Sequence, residues 1–124
     1  MAIPLMRAAY DESRPELQEI WARLIAAAMD PQRAPRVRIS FIETVKRMDP
    51  LDALVLQKLA QQQGNLSPNA RDFLAAQLEE TQEEIMLSAG NLVDCKCIGW
   101  KHNAVNSPDF YISDYGRALI RACS

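Results

Sequence analysis

A short stretch near the end of the sequence gathers the side chains best able to bind a metal: Cys95, Cys97 and His102, with Cys123 further along. A structural zinc site needs about four ligands that converge tetrahedrally, and Cys-x-Cys is not the usual spacing of a zinc finger. Two cysteines that are two residues apart on a strand share one face, where a thiol packs as a small apolar group. The spacing therefore favours Cys95 and Cys97 as core residues, and we expect no metal and no cofactor.

His102 is the only histidine, and it falls in a turn-rich segment. Catalysis by an imidazole needs a nucleophile or an orienting carboxylate within hydrogen-bond reach. Ser107 and Asp109 are close in sequence, but no catalytic motif surrounds them. The sequence also lacks a Gly-rich phosphate loop and a His-Glu-x-x-His helix. We therefore predict that the chain is not an enzyme and has no small-molecule substrate.

The formal net charge is −2, and its two signs are unevenly distributed. Residues 1–48 carry eight Lys/Arg against six Asp/Glu, whereas residues 49–124 carry six against ten. The basic residues of the loop between the halves and of the helix after it are Arg33, Arg36, Arg38, Lys46 and Arg47. Such a cluster can contact an acidic partner or a nucleic-acid backbone. The alternative is a solvated surface, which is the usual role of a run of charges.

Four carboxylates lie where the third helix of the second half begins: Glu79, Glu80, Glu83 and Glu84. In a DNA-reading helix-turn-helix protein, that helix enters the major groove with its first turns nearest the phosphates. Carboxylates there would repel phosphate, although at a helix start they also interact favourably with the dipole. The acids argue against DNA reading through this helix, in which Ser88 and Asn91 are the polar positions suited to contact bases.

Capping signals divide the first half of the chain into helices. Ser13 and Glu16 form a capping box before an amphipathic run that buries Trp21. The tripeptide Met-Asp-Pro then occurs twice, and Asp is a natural N-cap when Pro follows it. After Asp30 another proline would interrupt any new helix, so the tripeptide ends a helix there. After Asp49 an amphipathic pattern follows, so the tripeptide starts one.

The second half is predicted to contain helices and one hairpin. Residues 40–43 form a second capping box, Ser67 precedes a helix, and Thr81 opens a third box. The alternating residues 95–100 are typical of a strand, a Phe-Tyr-Ile segment is its return strand, and Ser113 starts a final helix. A helix pair followed by a two-stranded hairpin is the outline of a winged helix.

We therefore predict a mostly α-helical fold with a small two-stranded β-hairpin. An N-terminal helical hairpin (residues 1–48) packs on a winged-helix-like domain (residues 49–124), and the two form one compact unit. The predicted core includes Trp21, Leu24, Phe41, Leu54, Cys95 and Cys97.

Four stretches, spread over residues 13–123, carry a resemblance: "ELQEIWARLIAAAMDP", "SFIETVKRMDPLDALVLQKLA", "NLVDCKCI" and "ISDYGRALIRAC". Together they resemble the bacterial abortive-infection alpha family, whose members are linked to phage defence. The resemblance implies that context and brings no catalytic residues. Family members are longer at the N-terminus, which predicts that this chain is one domain of a larger protein. Lys96 stands at a helix-end position where the family has glycine, the easier residue there.

The expected function is that of a non-enzymatic interaction module in a phage-defence protein, working by protein–protein contact or self-association. A winged-helix DNA-binding regulator is the alternative, so nucleic acid is the less favoured partner. Three cysteines, an odd number, indicate a reducing compartment. The sequence has neither a signal-peptide pattern nor an apolar run of the roughly 20 residues that span a bilayer. We expect a cytoplasmic protein with no membrane contact.

Overall fold

The computed structural model describes residues 2–62, 69–101 and 109–123, and within them the fold is mostly helical with one small antiparallel sheet. The helices are α1 (Ala2–Asp11), α2 (Pro15–Met29), α3 (Ile39–Lys46), α4 (Pro50–Gln61), α5 (Ala70–Leu78), α6 (Gln82–Asp94) and α7 (Asp114–Ala122). The strands are β1 (Ile98–Trp100) and β2 (Phe110–Ile112), and a 3-10 turn (Ala34–Arg36) lies between α2 and α3. No described helix is both long enough and apolar enough to cross a membrane.

The two Met-Asp-Pro boundaries are confirmed. Helix α2 ends at Met29, and Asp30 follows it in an extended conformation. Helix α4 begins at Pro50, with Asp49 as its N-cap. The backbone N–H of Asp49 donates to Oδ2 of Asp52 at 2.9 Å. A carboxylate of the first turn therefore provides the hydrogen-bond acceptor that the N-cap N–H needs.

Two of the predicted capping boxes are wrong. Arg14, rather than Ser13, precedes α2, because Pro15 takes the first helical position and holds its neighbour extended. The predicted box at 40–43 also fails, because α3 already begins at Ile39. The predicted cap at Ser67 lies outside the described residues. Thr81 and Ser113, by contrast, cap α6 and α7 as expected.

The segment Cys95–Cys97 is a helix-ending turn, and the strand begins only at Ile98. The N–H of Lys96 donates to the Val93 carbonyl, and the N–H of Cys97 donates to the Leu92 carbonyl, each at 2.9 Å. This Schellman arrangement needs a left-handed residue, and Lys96 has φ of 66°. The expected strain at Lys96 is therefore present, whereas the predicted strand from residue 95 is wrong.

The buried side chains of both halves form one continuous core. Trp21, Leu24, Phe41, Cys95 and Cys97 are all buried in it. The prediction for Leu54 is wrong, because that side chain is 38% exposed. Helix α4 turns its other face inward, and at 100° per residue Leu54 lies about 200° around the axis from the buried residue at position 52.

Glu12 connects α1 to α2. Its carboxylate accepts a hydrogen bond from Nε of Arg14 at 3.0 Å and one from Nε1 of Trp21 at 3.3 Å. The hydrogen bond from the Arg14 side chain is the main cause that lowers the pKa of Glu12 below its ordinary value of 4.5. The ionised form of Glu12 therefore contributes to folding stability.

We expect Glu12→Gln to lower the free energy of unfolding at neutral pH by less than about 1 kcal/mol, because Arg14 is partly exposed. A lowered pKa stabilises the fold above the unfolded-state value. The difference from wild type should thus be full above pH 4.5 and vanish as the pH falls through the folded-state pKa. Urea unfolding at a series of pH values measures it, with the exposed Glu80→Gln as control. A difference that persists in acid contradicts the assignment.

Candidate functional site

Two polar side chains of α6 that a DNA reader could use are hydrogen-bonded to other parts of the protein. Ser88 is buried, and its hydroxyl donates to Oδ1 of Asp52 at 2.6 Å. The side-chain amide of Asn91 donates to Oδ2 of Asp52 and to the backbone carbonyl of Arg47. The buried carboxylate of Asp52 on α4 thus accepts hydrogen bonds from both residues, and these bonds connect α6 to α4. Both side chains are therefore hydrogen-bonded within the protein.

The outer face of α6 is acidic and apolar. Helix α6 contains no lysine or arginine, and its first turn carries Glu83 and Glu84, both exposed. Glu79 and Glu80 are exposed in the turn before it, and Leu87 is 69% exposed on the helix itself. A surface of this kind opposes the approach of a phosphate backbone.

The thiols do not form a metal site within the described residues. Cys97 is fully buried, and burial raises its pKa to about 12. Burial also raises the pKa of Cys95, and it raises that of Cys123 to about 11. Metal binding and nucleophilic attack both require the thiolate, which these environments disfavour. In the parts of the chain that the structure describes, no group of three His, Cys, Asp or Glu side chains converges. His102 and Ser107 lie outside them.

The five predicted contact cations lie in different places. The Arg33 side chain donates to the Asp30 carboxylate at 3.0 Å. The Lys46 ammonium lies 3.7 Å from the Glu43 carboxylate, and both residues line a groove between α1 and α3. Arg47 is exposed at the end of α3. Only Arg36 and Arg38 lie together, on one side of a shallow cleft. The predicted cluster is therefore not one surface.

The cleft that holds this pair has a volume of about 350 Å³ and is lined by Pro35, Arg36, Arg38, Ala118 and Arg121. We call it the basic cleft. One wall is the 3-10 turn and the residues after it, and the other is α7. All three arginines are exposed. No carboxylate of residues 2–62, 69–101 or 109–123 lies within salt-bridge distance of them.

Arg121 was missed by the sequence reasoning, although α7 carries a usable signal. Arg117 and Arg121 are four residues apart, so they occupy one face of the helix, while Leu119 and Ala122 are buried on the other. An adjoining depression contains Arg117, Arg121 and Asp114. The strongly amphipathic pattern of α7 predicts an exposed basic face. That this basic face lies next to Arg36 depends on the tertiary fold and cannot be predicted from the helix pattern.

A second surface lies between α1 and α3, and its lining shares no residue with that of the basic cleft. Helix α1 exposes three large side chains on one face: Ile3 at 68%, Met6 at 45% and Tyr10 at 91%. Ile39, at the start of α3, is 73% exposed and lines the same groove as Ile3. The charged residues of this groove are Arg7, Asp11, Glu43 and Lys46. We call this surface the α1–α3 groove.

Comparison with protein families matches residues 1–112 to the family described as abortive infection alpha. That range covers most of the 124 residues. The chain belongs to the abortive infection alpha family. The predicted resemblance is confirmed, although its closing segment after Ile112, which contains α7, lies outside the match. Neither a curated protein nor a solved structure matches the chain. Membership indicates an abortive-infection-related protein and assigns no residue a role.

Proposed function

We propose that the chain is a non-enzymatic interaction module of an abortive-infection protein and that it acts by self-association through the α1–α3 groove. Residues 49–124 serve in it as a winged-helix-like unit that supports the N-terminal helices. The family match supplies the abortive-infection context. The observation that carries the mechanism is the exposed apolar face of α1. The proposal places the protein in the cytoplasm of a bacterium, where its three thiols stay reduced.

Helix α1 has two apolar faces. Leu5 and Ala8 are buried against the rest of the molecule, while Ile3, Met6 and Tyr10 point away from it. A surface helix of a globular protein ordinarily has one apolar stripe and a polar opposite face. A second stripe of large side chains, continued by Ile39 on α3, is typical of a protein contact surface. This stripe loses solvent exposure only when another molecule covers it.

The charges around the groove favour a second copy of the chain as the occupant. Arg7 and Lys46 supply two positive charges, and Asp11 and Glu43 supply two negative charges. In a twofold-symmetric contact the same patch occurs on both sides, so a patch must complement itself. A border with equal numbers of both signs satisfies this condition, whereas a border of one sign would repel its copy.

The alternative, a duplex-reading regulator, has less support. Helix α6 contains no lysine or arginine, and its Ser88 and Asn91 side chains donate hydrogen bonds to Asp52. We expect affinity for random duplex no tighter than the roughly 10⁻⁴ to 10⁻⁶ M of non-specific contacts.

The test is the oligomeric state in solution. Sedimentation equilibrium up to about 100 µM chain should give the mass of a dimer, since micromolar dissociation constants are readily reached by small interfaces. An Ile3→Ser/Tyr10→Ser variant should remain monomeric over the same range. At chain concentrations low enough for wild type to be monomeric as well, it should keep the wild-type unfolding midpoint, because both side chains are exposed. Leu87→Ser, an exposed apolar change on α6, is the control and should leave the dimer intact.

Two outcomes would overturn the proposal. One is a wild-type protein that is monomeric at every concentration. The other is a dimer that the Leu87→Ser control disrupts as strongly as the groove variant, which would assign the contact to α6.

A further inference from the structure

The basic cleft is an unusual feature in a chain whose formal net charge is −2. Arg36 and Arg38 reach it from the segment between α2 and α3, and Arg121 reaches it from α7. Three positive charges therefore line a space of about 350 Å³. Like charges that share a small space repel each other, and an anion in that space would remove the repulsion.

The arginines of the cleft differ from most other arginines in the described residues. Arg14, Arg23, Arg33 and Arg71 each pair with a carboxylate at 3.0 Å or less. Within the described ranges, Arg36, Arg38 and Arg121 have no such partner, and each is exposed. Their guanidinium groups are therefore free to bind a ligand without first breaking an internal ion pair.

We propose that the basic cleft binds a phosphate-bearing ligand through Arg36, Arg38 and Arg121. A guanidinium presents its N–H donors as a planar fork that matches two oxygens of one phosphate. A short chain of phosphates carries several negative charges within a few ångströms, and this density matches three arginines around one small cleft. The free form of such a ligand is an oligophosphate, and its polymeric form is the backbone of a single-stranded nucleic acid.

An acidic peptide fits the same cleft less well. One carboxylate carries a single charge, so neutralising three arginines would require three acidic side chains to converge on a small space. Peptides also bind through apolar anchors in pockets, and the apolar residues of the lining are only Pro35 and Ala118. The lining contains no aromatic side chain on which a base could stack. The ligand is therefore recognised by its phosphates.

Sodium triphosphate is the probe for the direct test, by isothermal titration calorimetry with the whole chain at about 50 mM and about 200 mM salt, where ionic contacts differ strongly. Wild type should bind it at the lower salt and more weakly at the higher. An Arg36→Gln/Arg121→Gln variant should bind at least about tenfold more weakly, because it loses two charge-assisted contacts. Triphosphate should also raise the unfolding midpoint of wild type and, at the same concentration, raise that of the variant less.

The matched control is Arg23→Gln/Arg47→Gln, which removes the same charge from arginines outside the cleft lining. It should keep wild-type affinity for triphosphate. A single-stranded oligonucleotide of mixed sequence and a Glu-rich peptide of similar charge complete the set. The proposal is supported if triphosphate or the oligonucleotide binds to wild type and to the control but not to the cleft variant. Comparing the affinities for these two probes shows whether the ligand is a free oligophosphate or the backbone of a nucleic acid.

Three results would refute the site. They are no binding of either phosphate probe, equal losses in the cleft variant and the control, or a peptide that binds more tightly than triphosphate. This inference is independent of self-association, because the α1–α3 groove contains none of the three arginines. Either proposal can fail while the other holds.

Discussion

Replacing Trp21 by alanine should lower the free energy of unfolding by about 3–5 kcal/mol, the usual cost of truncating a large aromatic side chain in a core. Trp21 is 1% exposed and is among the largest fully buried side chains. It lies in α2, which packs against α1 in the first half and against α4 and α7 in the second, so we expect Trp21 to anchor the two halves to each other. Urea denaturation followed by far-ultraviolet circular dichroism measures the loss.

Trp100→Ala is the matched control for this expectation. Trp100 is 38% exposed on β1, where its ring meets that of Phe110 edge to face at 6.0 Å. Its loss should cost clearly less than that of Trp21, because the ring is more exposed and its aromatic pair adds only about 0.5–1.5 kcal/mol beyond the area it buries. If Trp21→Ala cost less than about 1 kcal/mol, or less than the control, Trp21 would not be the anchor between the halves.

Helix boundaries could be predicted from the sequence where proline fixes the backbone. Both Met-Asp-Pro tripeptides lie at a helix boundary because Pro50 takes the first helical position and Asp30 is followed by residues that cannot continue a helix. The same rule applies to Arg14 and Pro15, which set the start of α2. Ser13 was a poorer guide, because a side-chain cap is optional whereas the φ of proline is fixed.

The interior contacts of α6 could not be read from the sequence. Ser88 and Asp52 are 36 positions apart, and nothing local shows that one donates to the other. A polar residue on a helix predicts exposure, and only the position of α4 makes Ser88 an interior residue. The strand predicted from Cys95 was wrong because local alternation does not show which backbone groups are already hydrogen-bonded. Alternation suggests a strand, but the N–H groups of Lys96 and Cys97 are already used to end α6.

The candidate sites show the same limit. The sequence predicts Arg36 and Arg38 as contact residues but does not separate them from Arg33, which donates to Asp30. It could not add Arg121 either, because that residue joins the cleft only through the packing of α7 on the 3-10 turn. Local patterns predict which faces are charged, whereas the fold determines which faces meet.

Two glycine-to-alanine substitutions should change stability in opposite directions. Gly116 lies in the first turn of α7, and a Cβ built there would overlap the backbone carbonyl oxygen of Cys97. That oxygen is held in place by the N–H of Ser113, which donates to it at 2.9 Å, and the Ser113 hydroxyl donates to the Lys96 carbonyl at 2.6 Å. The obstacle is backbone fixed by hydrogen bonds, so it cannot move aside cheaply.

We therefore expect Gly116→Ala to lower the free energy of unfolding by about 3 kcal/mol, the upper range for overpacking. Gly90 is the matched control, because it lies within α6 and a Cβ there meets nothing within 4 Å. Gly90→Ala should raise the free energy of unfolding by about 0.5–1 kcal/mol, since alanine loses less backbone entropy in a helix. Chemical denaturation of both variants beside wild type decides the matter. A Gly116→Ala protein within about 0.5 kcal/mol of wild type, the scatter of ordinary surface changes, would show that α7 does not press against the end of α6.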